Sequence, residues 1–223
     1  MPSFSLTVPL HDIVARIIGD ERFKSEALVE ILSRMHATEQ HIMHPEFLRM
    51  EAVITFRIAE VAMPRAGSDA ADLAMEAGKN KVRSALCMAP TDAFLWLMLY
   101  SVELERNGLE ARTTRFLDQS YAAGPLEGWI SLRRNKLALS AFARLDEAVQ
   151  IQVMAEFAHM VDSNFTEVAA LNLMGVGWAR REQLLRSLTD VDTIPREAFA
   201  KILLREGLKV NVPGVEIDER PWH

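Results

Sequence analysis

Apolar residues recur at helical spacing along nearly all of this 223-residue chain, and proline or glycine interrupts them at intervals. Alternating apolar–polar runs are scarce, no Asn-Gly hairpin turn occurs, and Ala, Leu, Met, Glu and Arg abound, all of which favour helix over strand. The pattern predicts helices over roughly 8–18, 22–42, 45–63, 69–88, 91–106, 110–122, 126–142, 144–162, 165–174, 178–189 and 195–206. Pro45, Pro90, Pro125 and Pro195 fall where helices begin, a position at which the missing N–H costs nothing. Asn107-Gly108, Ala123-Gly124 and Gly207 read as helix stops, and Asp69, Thr91 or Asp92, and Asn164 as N-caps. The fold class expected is all-α.

The interruptions are spaced like hairpins. Pro45, Pro90 and Pro125 stand 45 and 35 residues apart, Asn164 follows 39 later, and Trp96 and Trp129 are 33 apart. Two helices per unit at a period in the thirties is the pattern of an α-solenoid. Over residues 93–125, Trp96 and Leu99 occupy first-helix apolar positions, Asn107-Gly108 the turn, Thr113 and Phe116 the second-helix small and aromatic positions, and Pro125 the close. Val82, Ala85 and Pro90 fall at the same offsets in the preceding unit, and Trp129 and Leu132 in the next. On these residues, 70–162 resembles the tetratricopeptide repeat family. Tyr100 and Arg133 depart from it where a small residue is usual, and Glu103 and Lys136 where an aromatic is. The resemblance implies a right-handed superhelix of antiparallel helix pairs whose concave face binds peptide or protein. The chain then reads as one helical-repeat domain over 1–223, with N-terminal helices in 1–44, hairpins in 45–163 and capping helices in 164–207. An extended tail fills 208–223, where Val210, Val212, Val215 and Ile217 alternate as a packed segment would.

Composition narrows the function. The formal charge of −6 argues against a nucleic-acid binder, which needs excess Lys and Arg. The longest uncharged apolar run, 93–102, is about half the ~20 residues of a membrane span. The N-terminal MPSFSLTVPLHD lacks a basic n-region and a long apolar stretch, so the expected location is cytoplasmic, or periplasmic if a leader has been removed. Cys87, the one cysteine, is expected to be a small buried hydrophobe. No partner membrane or nucleic acid is expected; self-association as a homodimer stays open.

Catalytic signatures are missing: there is no GxSxG elbow, no phosphate-binding GxxxxGK[ST], no HExxH and no CxxC. Gly175-Val176-Gly177 has no strand before it and reads as a helix-to-helix turn. His41 and His44 could share a helical face near Glu39, but His36 is poorly placed to join them and Pro45 should break the helix after His44. No metal or cofactor is expected.

The stretch GPLEGWISLRRNKLAL concentrates three basic residues on an acidic chain. A helical wheel groups Leu126, Trp129, Ile130, Leu132, Leu137, Leu139 and Ala141 in one arc, with Arg133 and Lys136 inside it, Arg134 at its edge and Asn135 opposite. Aligning Trp96 with Trp129 sets Glu103 against Lys136, so Glu103 is expected to pair with Arg133 or Lys136 between repeats. The other reading makes Arg133, Arg134 and Lys136 part of a groove for an acidic peptide, together with Phe94, Leu97, Ser101, Ile130 and Ala138. The expected function is a non-enzymatic scaffold or adaptor for a protein or peptide partner. The alternatives are an accessory protein for bacterial envelope or exopolysaccharide assembly, and an all-α enzyme with a cleft.

Overall fold

A computed structural model describes residues 4–19, 21, 23–38, 44–62 and 68–216. Among these residues there are eleven α-helices and no strand: α1 (Phe4–Ile18), α2 (Ser25–Thr38), α3 (Pro45–Ala62), α4 (Ser68–Met88), α5 (Ala93–Asn107), α6 (Ala111–Ala123), α7 (Gly128–Ala141), α8 (Glu147–Asp162), α9 (Thr166–Met174), α10 (Arg181–Arg186) and α11 (Thr193–Arg205). The all-α expectation holds, and none of these helices is long and apolar enough to cross a membrane. By Cα proximity the chain divides into two compact units, Met1–Ala123 and Gly124–His223.

The first unit is built from consecutive helices packed as pairs, α3 on α4 and α5 on α6, with α1 and α2 against α3. Gly78 lets α4 approach α3 closely, since a Cβ there would stand 3.2 Å from the Phe56 Cα. Asp92 starts α5: its Oδ1 accepts from the Phe94 and Leu95 amides (3.0 and 3.1 Å), and its Oδ2 accepts from Arg49 Nε of α3 (2.5 Å). Gly108, at φ +68°, ends that helix. Trp96 ties the pair together, donating from Nε1 to Pro90 O (2.8 Å) and stacking on Phe116 of α6 at 6.1 Å.

Two buried carboxylates serve this unit. Glu103, expected to meet Arg133 or Lys136, is instead bonded to Lys79 of α4, to Asn107 Nδ2 (2.6 Å) and to Arg112 (3.5 Å). The repeat alignment set α5 beside α7, whereas α4 packs on α5 and supplies the cation. Glu51 of α3 accepts from His36 Nε2 of α2 (2.8 Å) and Lys81 Nζ of α4 (2.6 Å), joining three helices. Cys87 is exposed rather than buried, because the inward face of α4 there belongs to Val82, Ala85 and Leu86.

In the second unit α7 packs on α8, and α9 and α11 close over α8. Phe157 of α8 meets Phe199 of α11 edge to face at 5.9 Å. Pro125 lies before α7 rather than at its first turn, since Leu126 turns the chain at φ +60° and the helix begins at Gly128. Asn164 is a helix stop rather than a helix start. At φ +64° it donates to Val161 O (3.1 Å), while the next amide reaches back to Met160 O (2.8 Å), which closes α8 in a Schellman turn. The Gly175–Gly177 turn joins α9 to a 3₁₀ turn, Trp178–Arg180; a Cβ on Gly177 would come within 2.8 Å of Leu184 Cδ1 and 2.9 Å of Asn172 O.

Burial raises the Glu51 pKa, but hydrogen bonds from Lys81 and His36 outweigh it and hold the carboxyl below the usual glutamate value. A pKa lower in the folded than in the unfolded chain stabilises above the unfolded value of about 4.3, and that stability is lost as pH falls through the folded value. Urea unfolding between pH ~5 and ~3 should therefore show a steeper loss of stability for the parent chain than for Glu51→Gln. Parallel pH profiles for the two proteins would contradict this role.

Candidate binding cleft

α7 buries Ile130, Ser131, Arg134, Asn135, Ala138 and Leu139, a stripe that repeats every three to four residues and is half polar. Arg134 lies at its centre with no exposed surface. Its Nε and Nη2 donate to Glu156 Oε1 of α8 (2.8 and 2.7 Å), and Nη2 also donates to Gly124 O (2.9 Å). Asn135 Nδ2 donates to Val153 O (3.1 Å) and Glu156 Oε2 (3.4 Å), and Asn135 Oδ1 accepts from Asn172 Nδ2 of α9 (3.2 Å). One polar network thus joins three helices in the interior.

This placement corrects the groove expected from the sequence. Arg134, one of the basic groove residues expected, is sealed in the core, because its guanidinium answers the equally buried Glu156. Phe94, Leu97, Ile130 and Ala138 are buried as well, and Ser101 is half-buried with its hydroxyl turned onto Leu97 O (3.0 Å). Of the basic residues only Lys136 is exposed, and Arg133 is half-buried, the reverse of their predicted place inside the packing arc. The wheel erred because Trp129 and Leu126, which it used to orient the helix, are exposed while Arg134 and Asn135 point inward. Of the histidines, His36 is engaged with Glu51, and His41 lies outside the described residues. Among the described residues, no three His, Cys, Asp or Glu side chains gather as a metal site.

A cleft of about 500 Å³ lies elsewhere in this unit, lined by Arg181, Glu182, Leu185 and Arg186 of α10 and by Val210, Asn211 and Pro213 of the tail. Its second wall exists because the tail is pinned. Gly207, at φ +81°, ends α11, and the Leu208 amide turns back to Leu203 O (2.8 Å). Exposure then alternates, with Lys209 and Asn211 outside and Val212 buried, the period of an extended segment. The Val215 amide closes a turn on Val212 O (3.1 Å) through Pro213-Gly214, with Gly214 at φ +71°. Arg196 of α11 braces that turn, its Nη1 donating to Pro213 O (2.9 Å) and Thr189 O (3.2 Å). Of the alternating residues Val212 is buried and Val210 and Val215 are half-buried; Ile217 and Trp222 lie outside the described residues.

Arg181 also stacks over the Trp178 ring at 4.9 Å, so an indole 37% exposed adjoins the cleft rim. Leu171 and Val176, in the same α9–turn connection, are 65% and 37% exposed. Sequence reasoning passed over this region because its helical pattern looked continuous across 178–189. The signal present was WARR, an aromatic followed by adjacent arginines on a segment too short to bury them.

The chain matches no protein-family model, no curated protein and no solved structure.

Arg196→Ala should cost about 1.5–3 kcal/mol, the range for hydrogen bonds that involve a charged group, and release the Pro213-Gly214 turn. Hydrogen exchange at the Val215 amide should accelerate while the α7–α8 amides keep their protection. Unchanged exchange at Val215 would show that the arginine does not hold the tail.

Proposed function

We propose that this chain is a non-enzymatic helical-hairpin scaffold or adaptor that binds a protein or peptide partner, and that it does so at the α10–tail cleft. The observation that carries this reading is Arg181, which lines the cleft and at the same time covers one face of the exposed Trp178. Trp and Arg dominate binding energy at protein interfaces, and large exposed apolar residues gathered beside a polar cleft are the usual anatomy of such surfaces. The consecutive packed pairs α3/α4, α5/α6 and α7/α8, and the Trp96–Phe116 stack, support the tetratricopeptide-like hairpin reading. The interaction surface, however, is assigned to α10 and the tail rather than to the inner helices of the hairpins.

Immobilised full-length chain should retain a partner from extracts of its source cells, and Trp178→Ala should release it. Loss of a central indole typically costs 2 kcal/mol or more, about thirtyfold in Kd. The variant's circular dichroism should match the parent, since the ring is partly exposed and outside the helical core. Equal retention by parent and variant would remove Trp178 and this surface from the reading.

A further inference from the structure

The cleft's two walls offer different chemistry. The tail wall carries unpaired main chain: among the described residues, Val210 and Asn211 have no hydrogen-bond partner for their backbone groups, and the flanking bonds are Leu208 N–H to Leu203 O and Val215 N–H to Val212 O. Open N–H and C=O groups on such a segment can pair with an extended peptide as a sheet edge does in strand addition, where main-chain bonds give affinity and side-chain pockets give selectivity. Leu185, Val210 and Pro213 supply the apolar lining.

The helical wall is cationic. Arg186 is exposed, and its Nε donates to Glu182 O (3.2 Å); among the described residues its two terminal nitrogens have no partner. Arg181 keeps one nitrogen on Trp178 O (3.3 Å) and stands 3.8 Å from the Glu182 carboxylate, at the outer limit of ion pairing. Two guanidinium groups thus face a cleft on a chain whose formal charge is −6. A guanidinium fork matches a carboxylate bidentately. The Glu182 carboxylate beside them repels any anion, a doubly charged phosphate more than a single carboxylate, and the unpaired main chain favours a peptide over a lipid headgroup.

We propose that the cleft receives an extended acidic segment of a partner protein, its backbone paired along Val210–Asn211 and an Asp or Glu carboxylate held by Arg186 and Arg181. This deepens the interaction reading above and rests on it. Apolar residues flanking the acid fit the Val210–Leu185 lining and the Trp178 ring.

A random octapeptide phage library panned on the immobilised full chain tests this directly. The enriched peptides should carry Asp or Glu next to an apolar residue. A selected peptide should bind the Arg181→Glu/Arg186→Glu variant at least tenfold more weakly, with unchanged helicity, and lose affinity as salt rises. Asn211→Pro, which removes a main-chain donor from the tail wall, should weaken it as well without reversing the charge preference. Enriched peptides without acidic residues that still need Trp178 would overturn the acidic-segment assignment and leave the interaction surface standing. Peptides insensitive to Trp178→Ala and to the arginine changes alike, or no consensus at all, would overturn both.

Discussion

The buried Arg134–Glu156 pair is the contact on which the second unit depends. A guanidinium taken wholly out of water is tolerated only with a counter-charge and further acceptors. Glu156 and Gly124 O provide them, Asn135 donates to the second carboxylate oxygen, and Asn172, bonded to Asn135 Oδ1, extends the network to α9. This requirement sets the roll of α7. With Arg134 inward, Ile130 and Ala138 must face the core, Trp129 turns to the surface and Lys136 reaches solvent. The basic stretch is therefore divided by its own helix geometry, and its most site-like residue is part of the interior.

That interior carries the cleft. α8 holds Phe157 against Phe199 of α11, and α11 ends at Gly207, from which the tail starts. Arg196 of the same helix fixes the tail turn, while Gly177 permits the close approach of Leu184 that seats α10. The tail wall is thus braced by α11 and the other wall is α10, and both helices pack on α8, a member of the polar network. A binding surface formed by a short helix and an irregular tail gains its definition from such support, since neither segment has a core of its own.

Much of the helical layout was legible because its breaks are chemical. Proline and glycine cannot be absorbed into a helix interior without cost, so Pro45, Gly108, Ala123-Gly124 and Gly207 mark real ends. The repeat offsets put Trp96 and Phe116 on successive helices, and the two rings stack at 6.1 Å. What the sequence hid was orientation. The apolar arc of α7 is broad enough to leave its roll undecided, and a periodicity argument gives no weight to an arginine whose partner lies 22 positions away on another helix. Glu103 was mispaired for the same reason, its cation coming from α4. The cleft was hidden because it depends on a left-handed glycine and an arginine brace, neither of which has a periodic signature.

A double-mutant cycle on Arg134 and Glu156, followed by urea unfolding, tests most directly whether the second unit is organised around this pair. Arg134→Met and Glu156→Leu alone should each cost about 3–5 kcal/mol, because each strands the opposite charge in the core. The double variant, with no stranded charge, should cost far less than the sum, giving a coupling of several kcal/mol. Losses that add to within ~0.5 kcal/mol would mean that the two side chains act independently, and the account of α7 and of the cleft it supports would fail.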